Sequence, residues 1–430
     1  MSRLLIRNGR VVDPSQAIDQ DMDVLLVDGL VEAVGAGLDV SADTPVLEAS
    51  GHVVAPGFID LAAHLCEPGY EHKETIATGC LAAVAGGFTA VCSTADTDPV
   101  NDDPSVTRFI REQAEDVDLA RVFPLGAVTR NLNGEELAEI GEMTREGIVA
   151  VGDAGRPITN SLLMRRALEY ARSFDIPVAV HPEDPGLSDR GLMHESAVST
   201  RIGLRGMPSA AETVVIARDL ALANATRGRL HIRHVSTAAG FALIRTAKDD
   251  GVRVTCDVAP YSFCLTDEDV AGATYDPNWK TNPPMRSAED VDAVKQALRD
   301  GTVDAIVSDH QPHHQDDKEL DFSEAPFGIV GLETTVSLAI DRLLRTEVLD
   351  FARLVQLLST GPAQTFRLPG GSLKRGEPGD VTILDLDHRT TVDPARFQSK
   401  SRNTPFGGWE LSGAPVATIV GGRIVWHVQD

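Results

Sequence analysis

Histidine and aspartate residues stand at the ends of several short apolar runs in this chain of 430 residues. His64, His181 and His234 end three of these runs, and Asp153 and Asp309 end two others. Neutral imidazoles and carboxylates are ligands that zinc and similar divalent ions take in proteins. Any one such residue is more often a hydrogen-bonded structural residue, so the prediction of a metal site rests on the joint pattern.

The apolar runs have the composition of short buried strands. They are rich in β-branched residues, and stretches with helical periodicity separate them. Alternating β and α units indicate an α/β protein with a parallel sheet, and eight units favour a (β/α)8 TIM barrel. In such a barrel the carboxyl ends of the strands carry the chemistry, which would bring these histidines and aspartates together. The runs are FIDLAAHL, FTAVCST, ARVFPLGAV, GIVAVGD, IPVAVH, RLHIRHV, VRVTCDV and VDAIVSD.

Further short strands are predicted at both ends of the chain. Segments such as DVLLVDG near the start and DVTILDL near the end are apolar and are separated by Gly and Asp-Pro turns. Neither end is long enough to form a stable sheet alone. We therefore predict that residues 1–55 and 370–430 together form a small β-sandwich domain, beside a barrel domain of residues 56–369.

Charge and cysteine content exclude several classes of protein. Lysine and arginine total 39 and aspartate and glutamate total 64, which gives a net charge of −25. Such acidity argues against binding to nucleic acid and against docking on an anionic membrane. No apolar run approaches the length of a membrane-spanning helix. The five cysteines include no C-x-x-C pair, which indicates reduced thiols in a cytoplasmic protein.

The combined motifs resemble those of the dihydroorotases, within the cyclic amidohydrolases. APGFIDLAAHLCEPGYEHKETIATG is similar to the first-strand signature of that family, and further motifs follow in family order over nearly the whole chain. The resemblance implies a (β/α)8 barrel with a composite β-sandwich. It also implies zinc-dependent, reversible closure of carbamoyl-aspartate to dihydroorotate in pyrimidine synthesis. The further motifs are AGGFTAV, VAVHPED, IRHVST, KTNPPMR, SDHQPH and APFGIVGLET.

The same resemblance implies roles for individual residues. His64, His181, His234 and Asp309 match positions that contact metal in the family, and Asp309 also matches the catalytic base. At the end of the fourth strand the family often has two adjacent aspartates, one of which contacts the metals. Asp153 remains there as a candidate ligand, and Ala154 replaces its neighbour. The positions that match substrate contacts are Asn282, His313, Phe327 and Gly328.

Three positions depart from the family pattern. Ala62 replaces the first histidine of the family's H-x-H, so a methyl group stands in place of one metal ligand. Cys66 and Asp96 replace the arginine and asparagine that hold the substrate carboxylate in the family. Two lost charge-assisted contacts weaken substrate binding by about 3–6 kcal/mol. The resemblance then allows one zinc ion or none, with Cys66 either a replacement ligand or, more commonly, a space-filling thiol.

These departures leave three functions open. The first is a catalytically impaired or inactive dihydroorotase-like subunit that associates with the aspartate transcarbamoylase catalytic chain in a homo- or hetero-oligomer, as in the inactive branch that this sequence resembles. The second is an active zinc-dependent dihydroorotase with a degenerate one-metal site. The third is a hydrolase of another cyclic amide such as a hydantoin. The strand end VGDAG counts against the third, because it lacks the bridging lysine that is usual in hydantoinases.

Overall fold

The computed structural model describes residues 2–428, in which short strands alternate with helices. The strands differ in length, and the longest lie near the two ends of the chain. They are β1 Arg3–Asp13, β2 Ile18–Val27, β3 Leu30–Gly35, β4 Val46–Glu48, β5 Val53–Pro56, β6 Phe58–Ala63, β7 Phe88–Ser93, β8 Arg121–Pro124, β9 Pro177–Val180, β10 Met193–His194, β11 Gly206–Met207, β12 Arg229–Ile232, β13 Val254–Val258, β14 Ala305–Ile306, β15 Val381–Thr391, β16 Glu410–Val420 and β17 Arg423–His427.

The parallel strands β6–β9 and β12–β14 form the predicted barrel. β6, β7 and β8 pair in that order, as do β9, β12, β13 and β14. The fourth predicted strand joins these two groups only through Val151, which bridges to Gly126 and to Val178. A parallel bridge from Ala63 to His310 closes the ring. The prediction of a TIM barrel is confirmed.

Helices cover the outside of this barrel, and polar residues fix where several of them begin. The Asp103 carboxylate accepts a hydrogen bond from the Ser105 amide at the start of α2, and the Asn160 side chain accepts two at the start of α4. The helices are α1 Ile76–Ala85, α2 Pro104–Val117, α3 Ile140–Glu146, α4 Ser161–Arg172, α5 Pro185–Ser188, α6 Ala197–Ile202, α7 Ser209–Thr226, α8 Ala238–Asp249, α9 Tyr261–Cys264, α10 Asp267–Gly272, α11 Ala288–Asp300, α12 Gln315–Lys318, α13 Thr335–Ala339, α14 Phe351–Val355 and α15 Gly361–Phe366, with π-helical turns at Ile340–Leu344 and Gln356–Thr360.

Strands from both ends of the chain form one eight-stranded sheet in the order β17-β16-β15-β5-β1-β2-β3, with β4 beside β1. β15 runs antiparallel to β5, so the carboxyl-terminal part of the chain pairs directly with the amino-terminal part. Residues such as Ile6, Val54 and Ile383 form a separate apolar core within this sheet. The two ends therefore do combine, as expected, while the domain limits at residues 55 and 370 stay a prediction.

Two further sequence expectations concern cysteines and membranes. All five cysteines are unpaired, and Cys80, Cys92 and Cys256 are buried. Within residues 2–428, no helix combines the length and the apolar character needed to cross a membrane.

Candidate functional site

The five predicted metal-site residues all follow barrel strands, so the parallel arrangement brings them to one mouth of the barrel. His64 follows β6, His181 follows β9 and His234 follows β12. Asp153 follows the fourth predicted strand, which contains Val151, and Asp309 follows β14. What each side chain contacts decides what this mouth can do.

Asp309, the predicted catalytic base, is surrounded by partners within the protein. Its Oδ1 lies 3.2 Å from Nε2 of His234 and accepts a 2.8 Å hydrogen bond from Nε2 of Gln311. Its Oδ2 accepts a 2.7 Å hydrogen bond from the Tyr261 hydroxyl. Burial opposes ionisation, yet the charge of His234 and these hydrogen bonds keep the pKa of Asp309 below its ordinary value. Asp309 is therefore a buried, fully engaged carboxylate.

His234 lies between two carboxylates. Besides Asp309, the Oδ1 atom of Asp257 lies 3.1 Å from its Nδ1. The other oxygen of Asp257 lies 2.9 Å from Nε2 of His231. Burial lowers the pKa of His234, but the charges of Asp309 and Asp257 outweigh it and raise that pKa overall. Both ring nitrogens of His234 thus lie within 3.2 Å of a carboxylate oxygen of the protein, so zinc could reach a nitrogen only if one carboxylate moved away.

His181 also has a carboxylate partner. Its Nε2 lies 3.0 Å from Oε2 of Glu183, and the same oxygen accepts a 2.7 Å hydrogen bond from Asn282. Burial opposes ionisation of Glu183, but the contact with His181 lowers the pKa of Glu183 to about 2. Asn282, which was predicted to contact substrate, thus donates a hydrogen bond from its amide to Glu183 instead.

The departures from the family pattern lie around His64. Its Nδ1 is 2.8 Å from Oδ2 of Asp96, so the aspartate that replaces an asparagine lies within hydrogen-bond distance of the imidazole. Partial burial opposes ionisation of Asp96, whose side chain is 36% exposed, but the contact with His64 keeps the pKa of that carboxyl well below its usual range. Burial, with the charge of Asp96, raises the pKa of the Cys66 thiol. Since zinc binds the thiolate, this environment favours the space-filling role for Cys66. Ala62 is fully buried in an apolar cluster inside the barrel.

Asp153 serves the backbone of a neighbouring loop. Its Oδ1 accepts hydrogen bonds from the amides of Val128 and Thr129, at 2.7 and 3.0 Å. Its Oδ2 accepts a 2.5 Å hydrogen bond from the Thr129 hydroxyl. Both oxygens of Asp153 therefore accept hydrogen bonds from the loop that follows β8.

The remaining predicted substrate contacts meet in the loop after β14. His313 donates a 2.7 Å hydrogen bond from Nε2 to the carbonyl of Phe327, and burial lowers the pKa of His313 to about 3. Gly328 has a φ of +114°, and a Cβ there would lie 2.6 Å from Cβ of Gln311. The glycine thus lets this loop approach the residue that bonds Asp309.

The metal site predicted from the sequence is not assembled in this arrangement. Within the described residues, no three His, Cys, Asp or Glu side chains converge in a way that could hold a metal ion. Each candidate ligand instead faces a partner in the protein. The side chains present therefore do not fit a bound zinc ion without breaking these pairs.

Two spaces are lined by predicted metal-site residues. A cleft of about 360 Å³ is lined by His64, Cys66 and Asp96, and also by Lys73 and Arg156. A much smaller cavity is lined by the second group of candidate residues, which are His181, Glu183, His234 and Asn282. The larger cleft has room for a small polar molecule and presents charges of both signs.

The contacts of several residues of this site have no recognisable signal in the sequence. Glu183 turns back onto His181, Asp257 lies inside a buried strand, and Tyr261 reaches Asp309 from 48 residues away. Alternation along β12 places His231 on the inner face, which was the one available signal for that residue.

Fold and site together define an amidohydrolase-type barrel with a sheet built from both ends of the chain. An L-hydantoinase (dihydropyrimidinase) from Arthrobacter aurescens has a similar structure, with a TM-score of 0.89, 27% identity, and coverage of 99% of this chain and 96% of that one. A dihydropyrimidinase from Brevibacillus agri has a TM-score of 0.82 at 22% identity, over 99% of this chain and 95% of its own, and supports the fold alone.

Sequence comparison identifies the family. A model of the family described as Dihydro-orotase-like matches residues 51–239. A protein of Anaeromyxobacter dehalogenans named Dihydroorotase is 51% identical over 99% of this chain and 98% of its own length. A Dihydroorotase of Syntrophotalea carbinolica is 46% identical over the full length of both chains. The chain belongs to the dihydroorotase family.

Proposed function

We propose that this protein is a dihydroorotase-family chain without dihydroorotase turnover, which acts as a non-catalytic subunit bound to the aspartate transcarbamoylase catalytic chain. The observation that carries the proposal is the state of the barrel mouth. His64, His181 and His234 each face a carboxylate of the protein, and Asp309 is engaged by three side chains. A site that must bind a metal and move a proton needs such groups free.

Contacts at the barrel mouth weaken both proton transfer and substrate binding. Both oxygens of Asp309 are occupied by His234, Gln311 and Tyr261, so neither is free to accept a proton from substrate. Asp96 also places a negative charge on the cleft that a carbamoyl-aspartate carboxylate would enter. An anionic substrate therefore meets repulsion where the family supplies hydrogen-bond donors.

Turnover by the purified protein tests the loss of catalysis. Both directions of the dihydroorotase reaction are assayed with and without added zinc, and the Dihydroorotase from Anaeromyxobacter dehalogenans is run beside it as the reference. We expect no turnover above the buffer rate. Turnover at ordinary enzyme rates, of about 1 per second or more, would reject the proposal.

Co-expression with the aspartate transcarbamoylase of the same organism tests the partnership. We expect the two chains to elute together in size-exclusion chromatography, with a mass that contains both. A one-to-one mixture of separately purified chains that elutes as two independent peaks argues against a shared assembly.

A one-metal dihydroorotase is the second candidate, because His181 and His234 line the same small cavity. Zinc binding there would require both imidazoles to leave Glu183 and Asp309. If the protein as purified holds about one zinc, and His181→Ala loses it, this second function is favoured. The hydantoin reading is weaker, since relatives at 46–51% identity are named Dihydroorotase whereas the hydantoinase match is 27% identical.

A further inference from the structure

A further cleft, of about 430 Å³, lies between the loop that follows β14 and residues 400–403, and none of the roles above uses it. It shares only His313 with the cleft that contains His64 and Asp96. Its volume is within the range of sites that bind small metabolites. The cleft is therefore large enough for a ligand of its own.

Three cations line this cleft, and none of them is paired with a carboxylate. Lys318, Lys400 and Arg402 have no carboxylate oxygen within ion-pair distance among residues 2–428. Lys400 donates instead to the carbonyl of Glu71, and Arg402 donates to the carbonyl of Ser401 at 2.9 Å. A carbonyl does not neutralise a cation, so the cleft keeps a local positive charge in a protein whose net charge is −25.

Lys318 is the cation that is built into the protein. Only 8% of it is exposed, and its Nζ donates to the carbonyls of Pro277 and Pro326 at 3.1 and 2.8 Å. An ammonium group has three donors, so one is left for a ligand. Burial, with the charge of Lys280, lowers the pKa of Lys318 to about 7. An anion bound beside Lys318 would favour its charged form.

The remaining groups suit an anion with more than one charge. Arg402 uses only Nη1 for its carbonyl contacts, which leaves Nε and Nη2 for a ligand. The planar fork of a guanidinium matches two oxygens of a phosphate group. Among the described residues, the one carboxylate in the lining is that of Glu319, which accepts a 2.6 Å hydrogen bond from Nε2 of Gln315. Three cations thus face one carboxylate.

We propose that this cleft binds a small phosphate-bearing anion with at least two negative charges, held by Lys318, Lys400 and Arg402. Charge-assisted hydrogen bonds from ammonium and guanidinium groups are the contacts that such anions receive in proteins. The inference does not rest on the proposed function, because it concerns binding in a cleft outside the predicted metal site and neither turnover nor partnership.

Isothermal titration of the full chain with inorganic pyrophosphate tests this site, with sodium chloride keeping the ionic strength equal in all titrations. Lys400→Met and Arg402→Met each remove one cation, and Glu319→Gln removes the carboxylate. Arg156→Met is the matched control, since it removes a cation from the neighbouring cleft. Circular dichroism of each variant shows whether it is folded.

We expect about one pyrophosphate per chain to bind, with a Kd below about 1 mM. Lys400→Met and Arg402→Met should each weaken binding about tenfold, because each loses a charge-assisted contact. Glu319→Gln should tighten binding by about two- to fivefold, as expected for removal of one exposed like charge. Arg156→Met should leave the Kd unchanged.

Glu319→Gln keeps the proposal testable should Lys400→Met or Arg402→Met not fold, because a damaged fold does not produce tighter binding. If the unmodified protein does not bind pyrophosphate, or if Glu319→Gln does not bind it more tightly, the proposal is wrong. A loss in Arg156→Met as large as that in Lys400→Met would place the anion in the other cleft and also overturn the proposal.

Discussion

At the barrel mouth, one substituted residue changes the contacts of another residue. Asp96 considered alone is a charge that repels substrate. In the structure it is also the partner of His64, at 2.8 Å, and so holds the histidine that would bind metal. The sequence identified both positions but not their contact, because they are 32 residues apart and meet only after β6 and β7 pair. Pairings of this kind depend on the register of neighbouring strands.

The coupling between His64 and Asp96 can be measured by a double-mutant cycle. His64→Gln and Asp96→Asn are made singly and together, and the free energy of unfolding is determined in urea. We expect a coupling energy of about 1 kcal/mol, a modest value because the Asp96 side chain is 36% exposed. The cycle is repeated in EDTA to exclude a bound metal as the source. Strictly additive effects would mean that the two side chains do not interact.

Asp153 offers a contrasting case, in which a predicted metal ligand holds the backbone instead. Asp153→Asn puts an amide group where three donors of Val128 and Thr129 converge. We expect a loss of about 2–4 kcal/mol in the free energy of unfolding, the same with and without EDTA, because buried donors are left unmatched. The exposed Asp316→Asn is the control and should change little. Destabilisation that appears only when metal is supplied would instead favour a ligand role.

At the scale of elements, the sequence predicted the strands well and the loops poorly. Seven of the eight apolar runs form regular barrel strands, since a strand buried on both faces has a continuous apolar signature. The fourth run contributes only the isolated bridges of Val151. The pattern of apolar residues does not distinguish such a short bridge from a regular strand. The loop after β14 contains His313, Phe327 and Gly328, which were predicted to contact substrate. Its conformation depends on a lysine from another loop, which no local pattern reveals.

Lys280 is that lysine, and its replacement should loosen the loop. Its Nζ donates hydrogen bonds to the carbonyls of Phe322 and Ala325, at 2.7 and 2.6 Å, and lies 4.7 Å from the centre of the Phe327 ring. In Lys280→Met these carbonyls lose their donor, which we expect to cost about 2–4 kcal/mol. Hydrogen exchange over residues 319–329 should speed up, whereas the exposed Lys374→Met should leave it unchanged. Unaltered exchange in Lys280→Met would show that the loop is held by other contacts.

At the scale of the whole molecule, the tail of the chain is held to the barrel by partly buried polar contacts as well as by apolar packing. Glu333, just before α13, accepts hydrogen bonds from the amides of Gln398 and Ser399. On β8, Arg121 forms a two-point ion pair with Asp380 next to the terminal sheet. The net charge of −25 bears on the solubility of the protein and not on these few contacts.

Glu333 makes stability depend on pH in a defined direction. Burial raises its pKa to about 7 from an ordinary 4.5, so the folded protein binds a proton that the unfolded chain has released. Stability from this group is complete below pH 4.5 and is lost as the pH rises to 7. Glu333→Gln should therefore match the unmodified protein at pH 4.5 and exceed it by at most about 3 kcal/mol at pH 8. The exposed Glu319→Gln is the control, and a pH-independent difference for Glu333→Gln would contradict the assignment.

Barrel and terminal sheet should unfold together, because one apolar core spans them. That core contains Val12 and Val53 from the amino-terminal strands and Leu384 from β15, together with Phe58 and Phe88 of the barrel. Contiguous packing of this kind couples the two parts, so neither should lose its structure alone. The three tryptophans allow this to be measured separately, since Trp279 lies in the barrel before α11 and Trp426 lies on β17 of the sheet. The double variant Trp409→Phe with Trp426→Phe reports the barrel, and the double variant Trp279→Phe with Trp409→Phe reports the sheet. We expect the same urea midpoint from both, relative to each variant's circular dichroism, and midpoints that separate would show two independent folding units.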